Sequence, residues 1–403
     1  MQRLNQYARG ARGGPRPGLR HHVMHPPRAA AATPVVLHVI DSLRTGGAEV
    51  LLTALVRELA AERLARNIVA AASADADPVL LASLERDAEA LLLVDQRRIV
   101  DPRLPRALVR VIRSARVDVV HSHLSTANVS SRIAALLTRR PHVTTVHTQP
   151  GPTAEDTRAH AAMDGWSSHL SARIVCPSRE IADGVRDTYR VAERRLRVIP
   201  NAPAAATPGA GFERDALRAE LLAGAPGPLV ACVARLQPEK GIADLIAAAG
   251  VVARAVPGLR VVIAGDGPQA APLAELAKAE GGLVRLLGPR DDVGDVLAAS
   301  DAFCLPSHHE GVPLSMLEGM DAGLPCVVTA VGGIPDVATD GETALLVPPR
   351  SPEALAAALT RVLTDAALAS RLGASGARLV REHYSLASVA RRYADLYREL
   401  AGR

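Results

Sequence analysis

The chain alternates short apolar runs with longer segments of helical periodicity, and this alternation limits the possible folds more than any other feature. Residues 34–40 and 228–234 are near-continuous apolar runs, which is typical of strands buried on both faces of a parallel sheet. Helical patterns separate such runs, as over residues 104–114 and 127–138. Because strands joined by helices of this length form right-handed crossovers, the pattern predicts an α/β fold with parallel sheets.

At 403 residues the chain is long enough for two domains, each with its own core. Residues 202–211 are rich in Ala, Pro and Gly and nearly uncharged, so we interpret them as a linker. The prediction is an amino-terminal domain over residues 34–201 and a carboxyl-terminal domain over residues 212–384. A last helix is predicted within residues 385–403.

The basic character of the chain is concentrated at its amino end. Residues 1–40 hold six arginines and no acid, and subtracting this +6 from the net charge of +5 leaves the remainder near −1. Because that remainder is close to neutral, no nucleic-acid partner is predicted. We expect residues 1–33 to form a disordered basic tail without the apolar segment of a secretory signal. Contact of the tail with anionic lipid and a later start at Met24 are both left open.

The four cysteines indicate the compartment. Cys176, Cys232, Cys304 and Cys326 each stand in an apolar, strand-like run, and none belongs to a Cys-x-x-Cys pair. Buried reduced thiols are therefore expected rather than disulfides or metal ligands. No apolar run is long enough to span a bilayer. We expect a cytoplasmic protein, with peripheral contact at the inner face of the membrane as the open alternative.

Residues 301–333 contain the largest group of candidate functional residues. Residues 301–305 predict a buried strand, and Pro313 stands where a helix opens. Glu310 then lies on the loop at the carboxyl end of the strand, and Glu318 lies about one turn into the helix. Free N–H groups at a helix start bind anions, and two carboxylates suit hydroxyl groups that flank a phosphate. The stretch therefore predicts a nucleotide-sugar site, although paired glutamates alone are common on solvated helices.

Two cations follow the apolar run of residues 228–234. Arg235 and Lys240 lie on the predicted loop, and Gly241 opens the next helix. Lys240 is one of only two lysines among 47 basic residues, which favours a need for a compact, point-like cation at this position. Beside Arg235 it would neutralise a diphosphate as that group leaves, as a metal ion does in other enzymes.

Together with Gly265-Asp-Gly-Pro268 and Ala322-Gly-Leu-Pro-Cys-Val-Val328, these segments resemble the retaining glycosyltransferases of the GT-B fold, family 4. The resemblance extends over roughly residues 35–400 and rests on the order and spacing of the segments. It implies two Rossmann-like, doubly wound parallel-sheet domains that face across a cleft. It also implies that the donor binds in the second domain and that the last helix crosses back to the first.

The resemblance further implies a hexosyltransferase-type enzyme that moves a sugar from a nucleoside diphosphate-sugar to an acceptor hydroxyl with retention of configuration. No metal and no cofactor other than the donor substrate are expected. The acceptor is a sugar, a lipid-linked molecule or a small molecule, within polysaccharide, glycolipid or glycoconjugate synthesis.

The family's functional residues map onto matching positions here. The resemblance implies that Glu310 holds sugar hydroxyls, that Arg235 and Lys240 bind the diphosphate, and that His147 forms a hydrogen bond with a sugar hydroxyl. Glu318 is implied to accept hydrogen bonds from the ribose. The positions implied to line the donor are Gly46, Gly47, Glu318, Gly311, Val312 and Leu314.

Two departures and several alternatives accompany this interpretation. Pro313 stands where the family more often has Gly, and it offers no N–H to the donor; Ala202 follows Asn201 where the family has Asn-Gly. Asp75-Ala-Asp77 resembles a metal-binding Asp-x-Asp motif but lies in a polar loop. A nucleotide-sugar epimerase and a non-catalytic nucleotide-sugar binder remain open. A pyridoxal-phosphate phosphorylase is disfavoured because neither lysine has a suitable context.

Overall fold

The computed structural model describes residues 19–22, 33–44, 46–94, 101–147, 158–203, 209 and 211–402. The chain divides into two compact units. The first comprises the described residues up to Val175 with Arg186–Leu196 and Tyr393–Arg403, and the second comprises Cys176–Val185 and Arg197–Arg392. Most of the predicted linker, and most of the predicted basic tail, lie outside the described residues.

The first sheet has eight strands. They are β1 (Leu19–His22), β2 (Val35–Ile40), β3 (Arg66–Ala71), β4 (Ala90–Val94), β5 (Val119–His123), β6 (His142–Thr145), β7 (Arg173–Cys176) and β8 (Leu196–Val198). Their order is β1-β4-β3-β2-β5-β6-β7-β8. The pairs from β4 through β7 are parallel, as the alternating pattern predicts. β1 pairs antiparallel with β4, an edge strand within residues 1–33 that the sequence does not predict.

Helices follow most of these strands because their apolar residues recur at helical spacing. They are α1 (Gly47–Ala61), α2 (Pro78–Asp87), α3 (Arg103–Ser114), α4 (Ser125–Thr138), α5 (Arg158–Ser167) and α6 (Arg179–Tyr189). In α3, for example, Leu104, Leu108 and Ile112 recur every four residues and are fully buried against the sheet. The α2 helix is not predicted by the sequence analysis.

The second sheet has six parallel strands in the order β11-β10-β9-β12-β13-β14. They are β9 (Leu229–Val233), β10 (Arg260–Ala264), β11 (Val284–Gly288), β12 (Ala302–Leu305), β13 (Cys326–Thr329) and β14 (Leu345–Val347). Val230 and Cys232 belong to one apolar cluster, whereas Leu229 and Ala231 belong to another. Both faces of β9 are therefore covered, which is why this strand appears in the sequence as a continuous apolar run.

The remaining helices surround the second sheet and end the chain. They are α7 (Arg214–Leu222), α8 (Ile242–Ala255), α9 (Ala270–Ala279), α10 (Val293–Ala299), α11 (Leu314–Asp321), α12 (Ile334–Val337), α13 (Pro352–Thr364), α14 (Ala366–Leu379) and α15 (Leu386–Ala401). The carboxyl-terminal part of α15, from Tyr393, packs with the first unit. Among the helices that the structure describes, none combines the length and the apolar composition needed to cross a bilayer.

The strand orders mark where ligands are expected. In the first sheet the order reverses between β2 and β5, and in the second it reverses between β9 and β12. In open parallel sheets, ligands bind outside the carboxyl ends of the strands at such reversals. The loops after these four strands are therefore the first places to look for a site.

Candidate functional site

The loops after β9 and β12 meet because these two strands are neighbours in the second sheet. Nζ of Lys240, on the loop after β9, donates a 2.6 Å hydrogen bond to Oε1 of Glu310, on the loop after β12. The side chains are only 17% and 7% exposed. Ser307 Oγ donates to the same oxygen at 2.6 Å. The buried carboxylate is thus held by two donors, one of them charged.

Further contacts fasten the two loops together. The backbone N–H of His308 donates to the carbonyl of Glu239 at 2.7 Å, and its Nε2 lies 2.8 Å from Oδ2 of Asp244. Gly241 has a φ of +61°, and a Cβ there would lie 2.2 Å from the carbonyl oxygen of Pro306. Only glycine allows this close approach. The Lys240–Glu310 pair is therefore supported on both sides by fixed backbone.

The start of α11 lies directly after the Glu310 loop. Pro313 is the residue before the first turn, and among the described residues no side chain caps this helix. The first N–H groups, of Leu314, Ser315 and Met316, are thus not used by a cap and suit an anion. Glu318, one turn into the helix, is half-buried. The helix starts one residue later than the predicted opening at Pro313.

A glycine turn packs against the same loop. The N–H of Gly333 donates to the carbonyl oxygen of Gly311 at 3.1 Å. Gly332 has a φ of +53°, and a Cβ there would lie 1.7 Å from the carbonyl oxygen of Glu310. A side chain at this position would displace the backbone of Glu310, so the turn fixes the Glu310–Gly311 peptide.

Arg235 shares the loop of Lys240 but is exposed. The N–H of the next residue, Leu236, donates to the carbonyl of Asp266 at 2.8 Å, which fixes the backbone at this point. Within the described part of the chain, the Arg235 guanidinium makes no hydrogen bond or ion pair. It is therefore available to an anionic ligand.

Glu180, on α6, is a candidate that the sequence analysis missed. Its Oε2 is buried without a hydrogen-bond partner among the described residues, and it lies 2.9 Å from the position of a Cβ on Gly332. Its Oε1 is 3.6 Å from Nε2 of His309. Oε2 therefore has acceptor capacity for a ligand hydroxyl. In the sequence it follows Ser178, whose Oγ accepts from the N–H of Ile181, so it resembles an ordinary acid in a first helical turn.

At the reversal in the first sheet, three buried histidines lie on β2 and β5. His38, His121 and His123 each bring one ring nitrogen within 4.8 Å of the others, a grouping with metal-ligand chemistry. However, both ring nitrogens of His121 are already engaged, by Tyr397 at 2.7 Å and by Thr145 at 2.8 Å. An ion would have to displace one of these bonds. We therefore assign no metal to this group and interpret it as part of a hydrogen-bonded network.

His147 follows β6, where the sequence places it at a strand's carboxyl end. Its Nε2 is buried without a hydrogen-bond partner within the described residues, and its ring lies 5.7 Å from that of His123. Burial lowers the pKa of His147 to about 4. At neutral pH the imidazole is uncharged, so it can both donate to and accept from a ligand hydroxyl.

The glycine pair after β2 forms the start of α1. Gly46 precedes the helix in an extended conformation, and Gly47 is its first residue. Glu49, in the first turn, is buried, and burial raises the pKa of its carboxyl group. A Cβ at Gly46 would lie 2.5 Å from its Oε2, so the carboxylate lies against the glycine loop. No pattern in the sequence identifies Glu49, because an acid in a first helical turn is ordinary.

The Asp-x-Asp segment has a structural role. Asp77 caps α2 by accepting hydrogen bonds from the N–H groups of Val79 and Leu80. Asp75 lies 3.4 Å from Nε of Arg44 in an exposed ion pair. These contacts account for both carboxylates without a metal ion.

Comparison with known proteins matches each half of the chain to a glycosyltransferase family model. The family model described as Glycosyltransferase Family 4 matches residues 45–202, and the one described as Glycosyl transferases group 1 matches residues 213–379. The chain is 31% identical over 296 residues to the glycogen synthase of Mycobacterium tuberculosis, covering 71% of this chain and 69% of that protein. It is 29% identical over 310 residues to the alpha-maltose-1-phosphate synthase of Mycolicibacterium smegmatis, and the match covers 70% of this chain and 79% of that protein.

The fold also matches solved structures. HepE of Anabaena in complex with UDP superposes with a TM-score of 0.74 at 20% identity, covering 90% of this chain and 98% of that one. The same protein has been solved with UDP-glucose. The match establishes the predicted architecture, the two Rossmann-like α/β domains of the GT-B fold.

Proposed function

The chain belongs to the family 4 glycosyltransferases of the GT-B fold, and from this premise we propose that its donor is a nucleoside diphosphate-sugar. We further propose that the sugar passes to an acceptor hydroxyl with retention of anomeric configuration and without a metal ion. Cytoplasmic location stays a prediction.

One observation carries the proposal: Lys240 and Glu310 form a mostly buried ion pair at the strand-order reversal of the second sheet. An ammonium, a carboxylate and an uncapped helix start lie on adjacent loops. The ammonium and the N–H groups of the helix start can bind phosphate oxygens, whereas the carboxylate can accept hydrogen bonds from sugar hydroxyls. A nucleoside diphosphate-sugar carries both kinds of group.

In this proposal Lys240 and Arg235 bind the diphosphate and neutralise it as it leaves. That electrostatic stabilisation grows as the glycosidic bond breaks, which is what lowers a barrier. The N–H groups of Gly311, Val312 and Leu314 contact the donor, and Pro313 contributes none. Glu318 accepts from the ribose hydroxyls.

Glu310 is proposed to orient the transferred sugar. Its Oε1 is occupied by Lys240 and Ser307, so hydrogen bonds to sugar hydroxyls would use the remaining acceptor capacity of the carboxylate. Neutral His147 is proposed to bond a further sugar hydroxyl, and Gly46 and Gly47 to allow close approach of the donor. Fixing the sugar ring of the donor in this way aligns its reacting carbon with the acceptor hydroxyl.

The names of similar proteins support a nucleotide-sugar donor without deciding which one. The HepE structures hold UDP or UDP-glucose. The relatives are named for different products, a phosphorylated maltose and glycogen. The acceptor of this chain therefore stays open among sugars, lipid-linked molecules and small molecules.

The first test is calorimetric binding of UDP, GDP and ADP, each free and as sugar conjugates. We expect one nucleotide to bind, and Lys240→Ala to weaken that binding at least tenfold. Lys278→Ala is the matched control, because the only other lysine is exposed and pairs with Glu275. Binding of no nucleotide would remove the donor-site assignment.

The donor identified in this way is then incubated with candidate acceptors. Retention predicts that the new glycosidic bond has the same anomeric configuration as the donor, read from the anomeric proton coupling by NMR. Metal independence predicts full activity in EDTA. An epimerase would instead convert the donor's sugar with no acceptor present, and a non-catalytic binder would leave the donor intact.

A further inference from the structure

A concentration of positive charge lies on one side of the first unit. Residues 101–140 contain eight arginines and two aspartates. Of the two acids, Asp101 accepts from the N–H of Arg103 and Asp118 from the N–H of Val35. On α3, Arg106, Arg110 and Arg113 recur every three or four residues and are exposed. This helix therefore presents a basic face to solvent.

Exposed apolar side chains gather on the neighbouring helix. On α4, Ile133, Leu136 and Leu137 are 41%, 61% and 62% exposed. Their spacing places these three residues on one helix face, and the exposed Arg140 follows two residues after the helix ends. Single exposed apolar residues are ordinary, but three on one face beside a cation are not.

Two more apolar residues follow on the next elements. Trp166, near the end of α5, is 75% exposed, and Leu170 is 40% exposed. The buried Arg132 of α4 joins the two helices through bonds to Asp164 and Ser167. α3 also packs against α4, so these three neighbouring helices carry the exposed arginines, leucines and tryptophan. We name this α3–α5 surface the basic-apolar face.

We propose that the basic-apolar face binds anionic lipid bilayers from one side. Arginines attract anionic headgroups, while Leu136, Leu137 and Trp166 enter the interfacial region. A tryptophan ring is suited to that depth because it is apolar with one polar N–H. This proposal does not rest on the transferase activity.

The charge of the face favours a membrane over a second copy of this chain. A two-fold dimer would place the face against itself, and its arginines would then oppose arginines. An anionic bilayer neutralises the same residues. An anionic bilayer can therefore bury the apolar residues and neutralise the arginines at the same time.

The test uses the full chain and vesicles of phosphatidylcholine, with or without phosphatidylglycerol. Trp166 is the only tryptophan, so its emission reports directly on this face. We expect a blue shift and quenching by brominated lipid with anionic vesicles only, reduced by high salt. Arg106→Glu with Arg110→Glu and Arg113→Glu, or Leu136→Ser with Leu137→Ser, should weaken vesicle binding at least tenfold.

Matched controls separate the face from general charge and hydrophobicity. Arg254→Glu with Arg361→Glu reverses two exposed arginines of the second unit, and Leu276→Ser replaces a leucine that is 48% exposed. Both should bind vesicles as the unchanged chain does. Circular dichroism and thermal unfolding confirm that each variant is folded.

Three outcomes would overturn the proposal. One is vesicle binding that persists in the α3 and α4 variants, which would point to the amino-terminal arginines. Another is a Trp166 emission unaffected by vesicles. The third is a dimer, measured by light scattering without lipid, that dissociates in the Leu136→Ser with Leu137→Ser variant.

Discussion

Oε1 of Glu310 accepts a hydrogen bond from Nζ of Lys240 at 2.6 Å. The pair joins the loops after β9 and β12, and both side chains are mostly buried. Lys240 is therefore a structural counter-ion as well as the proposed diphosphate ligand. Experiments on either residue have to measure stability and binding separately.

Replacing Lys240 alone should destabilise the fold. In Lys240→Met the Glu310 carboxylate stays buried, and Ser307 is its one remaining donor within the described part of the chain; breaking a buried pair typically costs about 3 kcal/mol. Adding Glu310→Gln should recover part of this loss, because no uncompensated charge remains. Urea unfolding of both single variants and the double variant measures the coupling. Lys278→Met, in an exposed pair, should change stability by less than about 0.5 kcal/mol.

Gly332→Ala should disturb the candidate site more than a positive φ alone explains. Its Cβ would lie 1.7 Å from the carbonyl oxygen of Glu310, so the backbone that carries this carboxylate has to move. Gly341→Ala is the control, since its φ is +72° but no atom of the residues that the structure describes lies within 4 Å of a Cβ there. The control should lose about 1 kcal/mol, measured by thermal unfolding. A similar small loss in Gly332→Ala, with nucleotide binding unchanged, would contradict the steric argument.

The sequence predicts most elements because their apolar patterns are strong. The runs at β9 and β12 identify buried strands, and Glu310 and Lys240 fall at strand ends as expected. Order along the chain does not state which strands are neighbours, however. The contact between these residues follows from β9 pairing with β12, which no local pattern encodes.

Other features of the sites depend on side chains that are ordinary by themselves. Glu180 and Glu49 resemble acids in first helical turns, and only burial distinguishes them. The bond between His121 and Tyr397 joins residues that are 276 positions apart. Periodicity describes one element at a time, so such long-range partners are not predicted from it.

The four thiols should be unreactive while the chain is folded. Burial raises the pKa of Cys176 and Cys232 to about 12, and it raises the pKa of Cys304 and Cys326 as well. Since the thiolate is the nucleophile, a disulfide reagent at pH 8 should label none rapidly. All four should react in denaturant. Rapid labelling of any thiol in the folded chain would show that its surroundings open locally.

Tyr397→Phe should destabilise the first unit. The hydroxyl forms a 2.7 Å bond with Nδ1 of His121, and both residues are fully buried. Its removal leaves a buried ring nitrogen without that partner, which costs about 1–3 kcal/mol. Tyr384→Phe, a matched change in the second unit, does not touch His121. Chemical denaturation of both variants compares the two losses of unfolding free energy. Equal losses would mean that the bond between Tyr397 and His121 adds no stability of its own.

The free energy of unfolding should fall as the pH drops from about 6.5 toward 4. Burial lowers the pKa of His38 from 6.5 to about 4, and it lowers the pKa of His121 and His123 well below the usual range. Between these values the unfolded chain binds protons that the folded chain excludes, so acid favours unfolding. For His38 alone the loss at pH 5 is about 2 kcal/mol. His38→Gln should therefore flatten the profile measured by urea unfolding between pH 7.5 and 5, whereas His383→Gln, at an exposed site, should leave it unchanged. An unchanged profile in His38→Gln would mean that this ring is protonated inside the fold, and the assignment of a neutral buried histidine would be wrong.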